Sequence, residues 1–141
     1  VGDQRRTLEN IKRHLEPGGK LCFNIFVPDV NMLSQEGDVL YHFRDVTDRD
    51  TGTRFVLWHQ SNYNNYDQII STRLIVEELD GGTAVTNRFY RDFQLRYVHR
   101  WEMYYMLELC SFEVELLYGD FDCSVFDETS TEMVWVAKVR K

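Results

Sequence analysis

The stretch HLEPGGKLCFNIFVPD, residues 14–29, contains the pattern that decides the fold. Pro17-Gly18-Gly19 predicts the end of a helix, because proline and glycine do not continue one. The segment 20–27 is apolar on both sides, which is typical of a strand in a parallel sheet with helices on both faces. Pro28 ends that strand, since proline has no N–H to donate to a neighbouring strand.

The residues before this stretch predict an amphipathic helix. Leu8, Ile11 and Leu15 recur at helical spacing, and Asp3 is placed to cap the helix. The charged residues between them lie on the opposite face. This helix is expected to end at Pro17-Gly18-Gly19.

From residue 38 to residue 97 the hydrophobic period changes to two, which predicts an antiparallel meander. Turn residues cluster at 48–52, 61–65 and 79–83. In the last predicted strand the apolar side chains share one face and the polar side chains share the other. The apolar face consists of Val85, Phe89, Phe93, Leu95 and Tyr97.

The remaining residues return to a mixed pattern. A helix is predicted over 100–110, with Met103, Met106, Leu107 and Cys110 as its core stripe. Strands are predicted over 112–118 and 133–139, separated by an acidic loop at 119–128. The spacing of the carboxylates in that loop departs from a calcium-binding loop, so we interpret it as a solvated loop.

Composition limits the class of function. The chain has 141 residues, 43% hydrophobic and 28% charged, which fits one domain over 1–141. Its net charge is -7 and no basic stripe is present, which argues against nucleic-acid and anionic-membrane partners. No apolar run reaches the roughly 18 residues that span a bilayer, and we expect a cytoplasmic protein.

The cysteines and histidines predict no special chemistry. Cys22, Cys110 and Cys123 are odd in number and far apart, which favours a reducing compartment over a disulfide framework. Cys22 and Cys110 lie in apolar patterns, and we expect buried, unreactive thiols. The histidines show no ligand spacing, so no metal site is expected.

These elements together resemble the C-terminal half of a class I S-adenosylmethionine-dependent methyltransferase, from about Thr7 to Lys141. The motif hLkPGG before an apolar strand corresponds to residues 15–19, LEPGG. The helix is similar to the family's "E…LL..aGF" segment through Glu102, Leu107, Leu109 and Phe112, although Ser111 stands where the family usually has a left-handed glycine. The resemblance implies an α/β fold, α+β as an isolated fragment: the C-terminal part of a Rossmann-like methyltransferase sheet with an antiparallel β insert.

The family's cofactor motifs do not occur in this chain. No glycine-rich loop links a strand to a helix, so the resemblance implies that the first four strands and the S-adenosylmethionine site lie outside this sequence. We therefore expect a fragment that binds no cofactor well and is inactive alone. The strand at 20–27 would lose a neighbour, and self-association through that exposed sheet edge is expected.

The resemblance also implies where a small-molecule methyl acceptor binds. Segment 38–97 would cap the acceptor pocket, and ligands bind beyond the carboxyl ends of strands in open α/β sheets. No catalytic base is assigned, because methyl transfer depends mostly on positioning. The predicted substrate-binding residues are Asn24, Phe26, Tyr66, Tyr90, Arg91, Tyr97 and Trp101.

Two alternatives remain open at this point. A helix with a curved aromatic-rich sheet is also typical of non-enzymatic α+β modules that bind a small ligand. A catalytically silent methyltransferase-like subunit, completed by a partner chain, would carry the same pattern.

Overall fold

The computed structural model describes residues 2–140, so Val1 and Lys141, the ends of the predicted domain, lie outside the described residues. The chain divides into two compact units, the first formed by the segments before Val30 and after Tyr97, the second by Val30–Tyr97. The first unit contains α1 (Gly2–Arg13), β1 (Lys20–Phe26), α3 (Arg100–Leu109), β6 (Phe112–Tyr118) and β7 (Glu132–Val139). The second contains α2 (Val30–Leu33), β2 (Tyr41–Thr47), β3 (Arg54–Asn64), β4 (Ile69–Leu79) and β5 (Val85–Arg96).

The first unit is a three-stranded sheet with helices packed on one face. The strand order is β1-β7-β6, and β7 pairs antiparallel with both neighbours. Alternate residues of β7 face the core because side chains alternate along a strand. Trp135, Met133, Phe112 and Leu107 are fully buried there, and Leu8 of α1 completes the cluster.

The other face of this sheet is only partly covered. Cys22 and Asn24 are exposed, and Leu116 is 45% exposed. The expectation of a buried Cys22 is therefore wrong, and β1 is buried on one face instead of two. The physical reason is that α1 and α3 contribute to the same core, on the face that carries Phe23 and Trp135.

The helix α3 and the turn after it follow the predicted pattern. Its core stripe is buried as expected, at Met103, Met106, Leu107 and Cys110. Ser111 has φ 64°, the left-handed conformation predicted for this position. Its N–H donates to the carbonyl oxygen of Glu108 at 2.9 Å, so the turn closes the helix without a glycine.

The beginning of α1 differs from the prediction. The helix starts at Gly2, so Asp3 lies in its first turn and is not the capping residue. There it forms an ion pair with Arg6, and its carboxylate is placed favourably near the positive end of the helix dipole.

The second unit is the predicted antiparallel meander. Its strand order is β2-β3-β4-β5, and every neighbouring pair is antiparallel. The first turn is stabilised by Asp48, whose Oδ1 accepts hydrogen bonds from the N–H groups of Asp50 and Thr51. Gly52 adopts φ 70° in this turn, where a side chain would be strained.

The turn predicted at 61–65 is wrong in position. Residues 61–64 continue β3 in register with β4, and the chain turns after Asn64. The Asn64 Oδ1 accepts from the N–H groups of Tyr66 and Asp67, and Gln68 takes the left-handed conformation at φ 57°. An Asn-rich cluster is compatible with either site, and strand pairing selects the later one.

Candidate functional site

The end of β1 presents the first two predicted substrate-binding residues. Asn24 and Phe26 share one face of the strand, since they are two residues apart. The Asn24 Nδ2 donates to Glu132 Oε2 at 3.2 Å across the β1–β7 pair. Asn24 is exposed and Phe26 is half-buried.

Trp101 lies on α3 in an exposed aromatic cluster. Its ring is 5.7 Å from that of Tyr104 and 6.3 Å from that of Tyr105, between centroids. The Arg100 guanidinium lies 4.7 Å from the Trp101 ring centre, a cation–π contact. Trp101 is 56% exposed, so the cluster offers a surface and not an enclosed pocket.

The predicted residues of the second unit do not face one another. Tyr66 lies in the β3–β4 turn and is 96% exposed. Tyr90 and Arg91 are consecutive in β5 and therefore point to opposite faces of the sheet. Neither unit gathers its predicted residues into one cluster, and their role in substrate binding stays a prediction.

Tyr97 is buried, in contrast to Tyr66 and Tyr90. It is 2% exposed, and its hydroxyl donates to Asn65 Oδ1 at 3.0 Å. Its backbone N–H donates to the carbonyl oxygen of Gln68 at 3.0 Å. These contacts connect the end of β5 to the β3–β4 turn, which indicates a structural role for Tyr97.

A hydrogen-bonded polar cluster occupies one face of the second sheet. Ser61 is 3% exposed, and its Oγ lies 2.8 Å from Thr72 Oγ1. His59, two residues earlier on the same face, places Nδ1 3.2 Å from Ser61 Oγ. Ser61 and Thr72 are direct partners in the β3–β4 register, so the pairing of the two strands creates this cluster.

Aromatic side chains and a loop surround this cluster. The His59 ring lies 5.7 Å from Tyr41 and 6.1 Å from Phe43, between ring centres. Tyr63, on the same face of β3, donates its hydroxyl to Gln35 Oε1 at 3.2 Å. We call His59, Ser61, Thr72, Tyr41 and Tyr63 the His59 cluster.

Burial controls the protonation of the His59 cluster. It lowers the pKa of the His59 imidazole, which favours the neutral ring. It also raises the pKa of the Tyr63 phenol, which keeps its proton. A neutral imidazole and the phenols of Tyr41 and Tyr63 can hydrogen-bond a neutral amine.

The lowered pKa of His59 predicts a pH dependence of stability. The unfolded chain titrates this ring near its ordinary value of 6.5, above the folded pKa. Below that value the unfolded state binds more protons, so the contribution of His59 is complete above pH 6.5 and is lost as the pH falls. We expect His59→Gln to reduce the loss of stability between pH 7 and pH 5, measured by urea unfolding at each pH.

The control for this experiment is His42→Gln, which removes an exposed ring whose Nε2 donates to Asp45 Oδ1 at 2.8 Å. If both variants followed the same stability profile as the wild type, burial of His59 would not be a source of the pH dependence.

The opposite face of the second sheet carries a polar groove of about 430 Å³. The Arg73 guanidinium donates to both carboxylate oxygens of Asp92 at 2.8 Å, and Gln94 donates to Ser71 Oγ at 3.0 Å. These groups satisfy one another across β4 and β5. The groove is lined by Gln60, Asn62, Ser71, Thr72, Arg73, Asp92, Phe93 and Gln94.

The described residues do not fit an S-adenosylmethionine site of the class I type. Such a site needs a glycine-rich turn between a strand and a helix. The turn after β1 contains Pro28 and Asp29 and leads to α2, which has four residues.

Among residues 2–140 no group of acidic, histidine or cysteine side chains could hold a metal ion. Within that range no helix is long and apolar enough to cross a membrane.

Sequence reasoning did not select His59, Ser61 or Thr72. The signal available was the alternation of His59, Ser61 and Tyr63, which places the three side chains on one face of a strand. The assignment of a turn to 61–65 concealed this alternation. The contribution of Thr72 depends on the register of β3 with β4, which no local pattern specifies.

Comparison with known proteins supports a methyltransferase fold. No protein-family model and no curated protein sequence matches the chain. Among solved structures, the methyltransferase CcbJ from Streptomyces caelestis is 22% identical with a TM-score of 0.76, over 98% of this chain and 53% of that protein. An S-adenosylmethionine-dependent methyltransferase from Clostridium acetobutylicum is 15% identical with a TM-score of 0.75, over 99% of this chain and 52% of its own.

A third structure is CalS10, an amino pentose methyltransferase from Micromonospora echinaspora involved in calicheamicin biosynthesis. It is 17% identical with a TM-score of 0.65, over 97% of this chain and 50% of that protein. The chain thus spans about half the length of the solved structures that it matches. At these identities the likeness establishes the fold. The chain has the fold of part of a class I S-adenosylmethionine-dependent methyltransferase, and the predicted resemblance to the C-terminal half is confirmed at that level.

Proposed function

We propose that this chain is the acceptor-binding part of an S-adenosylmethionine-dependent methyltransferase that acts on a small molecule, and that it is inactive alone. The observation that carries this proposal is the match of nearly the whole chain to about half of several methyltransferases. In such an enzyme the methyl donor is bound by the other half. The contribution of this chain is to bind and orient the acceptor.

The His59 cluster is the part of the chain that we assign to the acceptor. On one side of the second sheet it combines the buried Ser61 hydroxyl, which contacts His59 and Thr72, with a neutral imidazole and aromatic faces. Small-molecule sites commonly combine apolar walls with a few placed polar groups in this way.

We assign an amine as the acceptor group. An amine must be neutral to attack a methyl donor, and partial burial beside uncharged hydrogen-bonding groups favours this state over the charged one. The structural neighbour CalS10 is described as an amino pentose methyltransferase, which is consistent with an amino sugar as the acceptor class.

Two titrations test the proposal. We expect S-adenosylmethionine to give no saturable binding to this chain by calorimetry up to about 1 mM, with CalS10 as the positive control. We expect glucosamine to shift the amide resonances around His59 and Ser61, with a Kd on the order of millimolar. Glucose, which has a hydroxyl in place of the amine, is expected to bind more weakly.

Matched serine variants locate the acceptor site. Ser61→Ala removes the buried hydroxyl of the His59 cluster and is expected to weaken glucosamine binding several-fold. Ser71→Ala removes the hydroxyl that accepts from Gln94 on the opposite face and is expected to leave binding unchanged. Micromolar binding of S-adenosylmethionine would contradict the proposal that this chain is only the acceptor-binding part of the enzyme. Equal effects of Ser61→Ala and Ser71→Ala on glucosamine binding would contradict the assignment of the acceptor site.

A further inference from the structure

The edge strand β5 is long and exposed. It hydrogen-bonds to β4 at one end of the sheet order, and all of its residues except Arg96 are exposed. One face of the strand carries large apolar side chains: Val85 is 46% exposed, Phe89 45%, Phe93 41% and Leu95 46%. A strand of this kind is a template for pairing with another strand, unless charge or geometry prevents it.

The charges of β5 are arranged in opposite pairs with β4. Arg88 pairs with Glu77, and Asp92 pairs with Arg73, in the register of the two strands. Arg88 and Asp92 therefore lie on one face of β5, four residues apart and of opposite sign. Both remain partly exposed, the Arg88 side chain at 52% and that of Asp92 at 62%.

We propose that β5 pairs antiparallel with β5 of a second copy of this chain, about a two-fold axis at Tyr90. In this register Tyr90 faces Tyr90 of the partner, and Arg88 of each copy faces Asp92 of the other. Across the interface the charges then alternate in sign: Glu77 and Arg88 of one copy are followed by Asp92 and Arg73 of the other. The two sheets join into one sheet of eight strands, and the symmetry makes the contact isologous.

The opposite face of β5 is matched in the same register. Phe89 faces Arg91 of the partner, which allows a cation–π contact, and Val85 faces Leu95. The backbone groups of β5 that point away from β4 gain strand partners at the same time. One register thus pairs Arg88 with Asp92, places Val85 on Leu95 and gives the backbone strand partners.

Neighbouring registers do not give this match. A two-fold axis at Arg91 places Arg91 opposite Arg91 of the partner and separates Arg88 from Asp92. An axis at Asp92 places the two Asp92 carboxylates opposite each other. Like charges directly opposite destabilise antiparallel strands. An axis at Phe89 opposes no like charges but places Arg88 opposite Tyr90, so only the axis at Tyr90 pairs Arg88 with Asp92.

This interface differs from the one expected at the β1 edge, which belongs to the first unit. The β5 contact needs no residue of the His59 cluster and stands without the proposed function, although it uses Tyr90 and Arg91, which the sequence predicted as substrate-binding residues. Its charged pairs allow a test that separates the two edges.

The first measurement is sedimentation equilibrium of the 141-residue chain. We expect a reversible dimer at about twice the 16.9 kDa mass of the chain. Arg88→Glu and Asp92→Arg each replace two opposite-charge pairs with two like-charge pairs at the symmetric interface. Each variant alone is expected to raise the dimer Kd roughly tenfold or more. Arg49→Glu makes the same charge change in the β2–β3 turn and is expected to leave the dimer intact.

Mixing the two variants tests the register itself. Arg88→Glu in one copy faces Asp92→Arg in the other, and the unchanged Asp92 and Arg88 face each other, so both pairs are again opposite in charge. We expect the equimolar mixture to recover the dimer that neither variant forms alone. Amide spectra of each variant confirm that the fold is retained.

Either of two outcomes would overturn pairing through β5, and a third would overturn its register. One is a wild-type chain that stays monomeric at high micromolar concentration. The other is a dimer that persists in both single variants, which would place self-association on another surface such as the β1 edge. A mixture that stays monomeric while the wild type dimerises would overturn the register centred on Tyr90.

Discussion

Replacing Trp135 with alanine is expected to lower the free energy of unfolding of the first unit by about 3–5 kcal/mol. Trp135 is fully buried in the middle strand of its sheet, with its ring 6.5 Å from that of Phe23 between centroids. Both neighbouring strands pack against β7, so the cavity cannot collapse without moving them. Hydrogen exchange of the β6 and β7 amides measures the effect in this unit alone.

Trp135→Phe is the matched control. It retains an aromatic ring and removes the indole N–H, which is buried without a hydrogen-bond partner among the described residues. We expect a cost of at most about 2 kcal/mol, because a lost donor that was unpaired returns part of its desolvation energy. A cost for Trp135→Ala below that of Trp135→Phe would contradict the assignment of Trp135 to the core.

Replacing Tyr97 with alanine is the second large effect that we expect. The ring is 2% exposed and the hydroxyl donates to Asn65 Oδ1, so the change removes both packing and a hydrogen bond. We expect the free energy of unfolding to fall by about 3 kcal/mol or more, measured by urea denaturation. The β3–β4 turn is expected to gain mobility, because the Tyr97 hydroxyl that donates to Asn65 is removed.

Tyr97→Phe separates a structural role from a ligand-binding role. It keeps the ring and loses the bond to Asn65, and we expect a cost of about 0.5–1.5 kcal/mol. If this variant kept its stability but lost glucosamine binding, the substrate contact predicted from the sequence would be supported. Lower stability with unchanged binding is the result that the buried position of Tyr97 favours.

The local patterns of the chain predicted most of its elements. The core stripe of α3 followed from helical spacing, and each of its members is buried. The left-handed Ser111 was implied by the methyltransferase resemblance, in which this position after the helix is usually glycine. These features depend on residues close in sequence, which is why they can be read without a structure.

The burial of β1 could not be predicted in the same way. Cys22 lies in an apolar run, yet it is exposed because the helices of the first unit pack on the opposite face. An apolar run indicates only that both faces of a strand can be buried. Whether it is buried depends on which elements pack against each face.

The sequence by itself determined the order of α1, β1, the meander, α3, β6 and β7, but not the short helix α2. It also determined the core stripe of α3, the change from mixed to antiparallel pattern and the resemblance to half of a methyltransferase. Tertiary structure alone decided the His59 cluster, because Thr72 reaches Ser61 only through the register of β3 with β4. It also decided that Tyr97 is buried and that β5 is an edge, since both depend on contacts between residues distant in the chain. Periodicity fixes which side chains share a face, whereas long-range packing decides what each face meets.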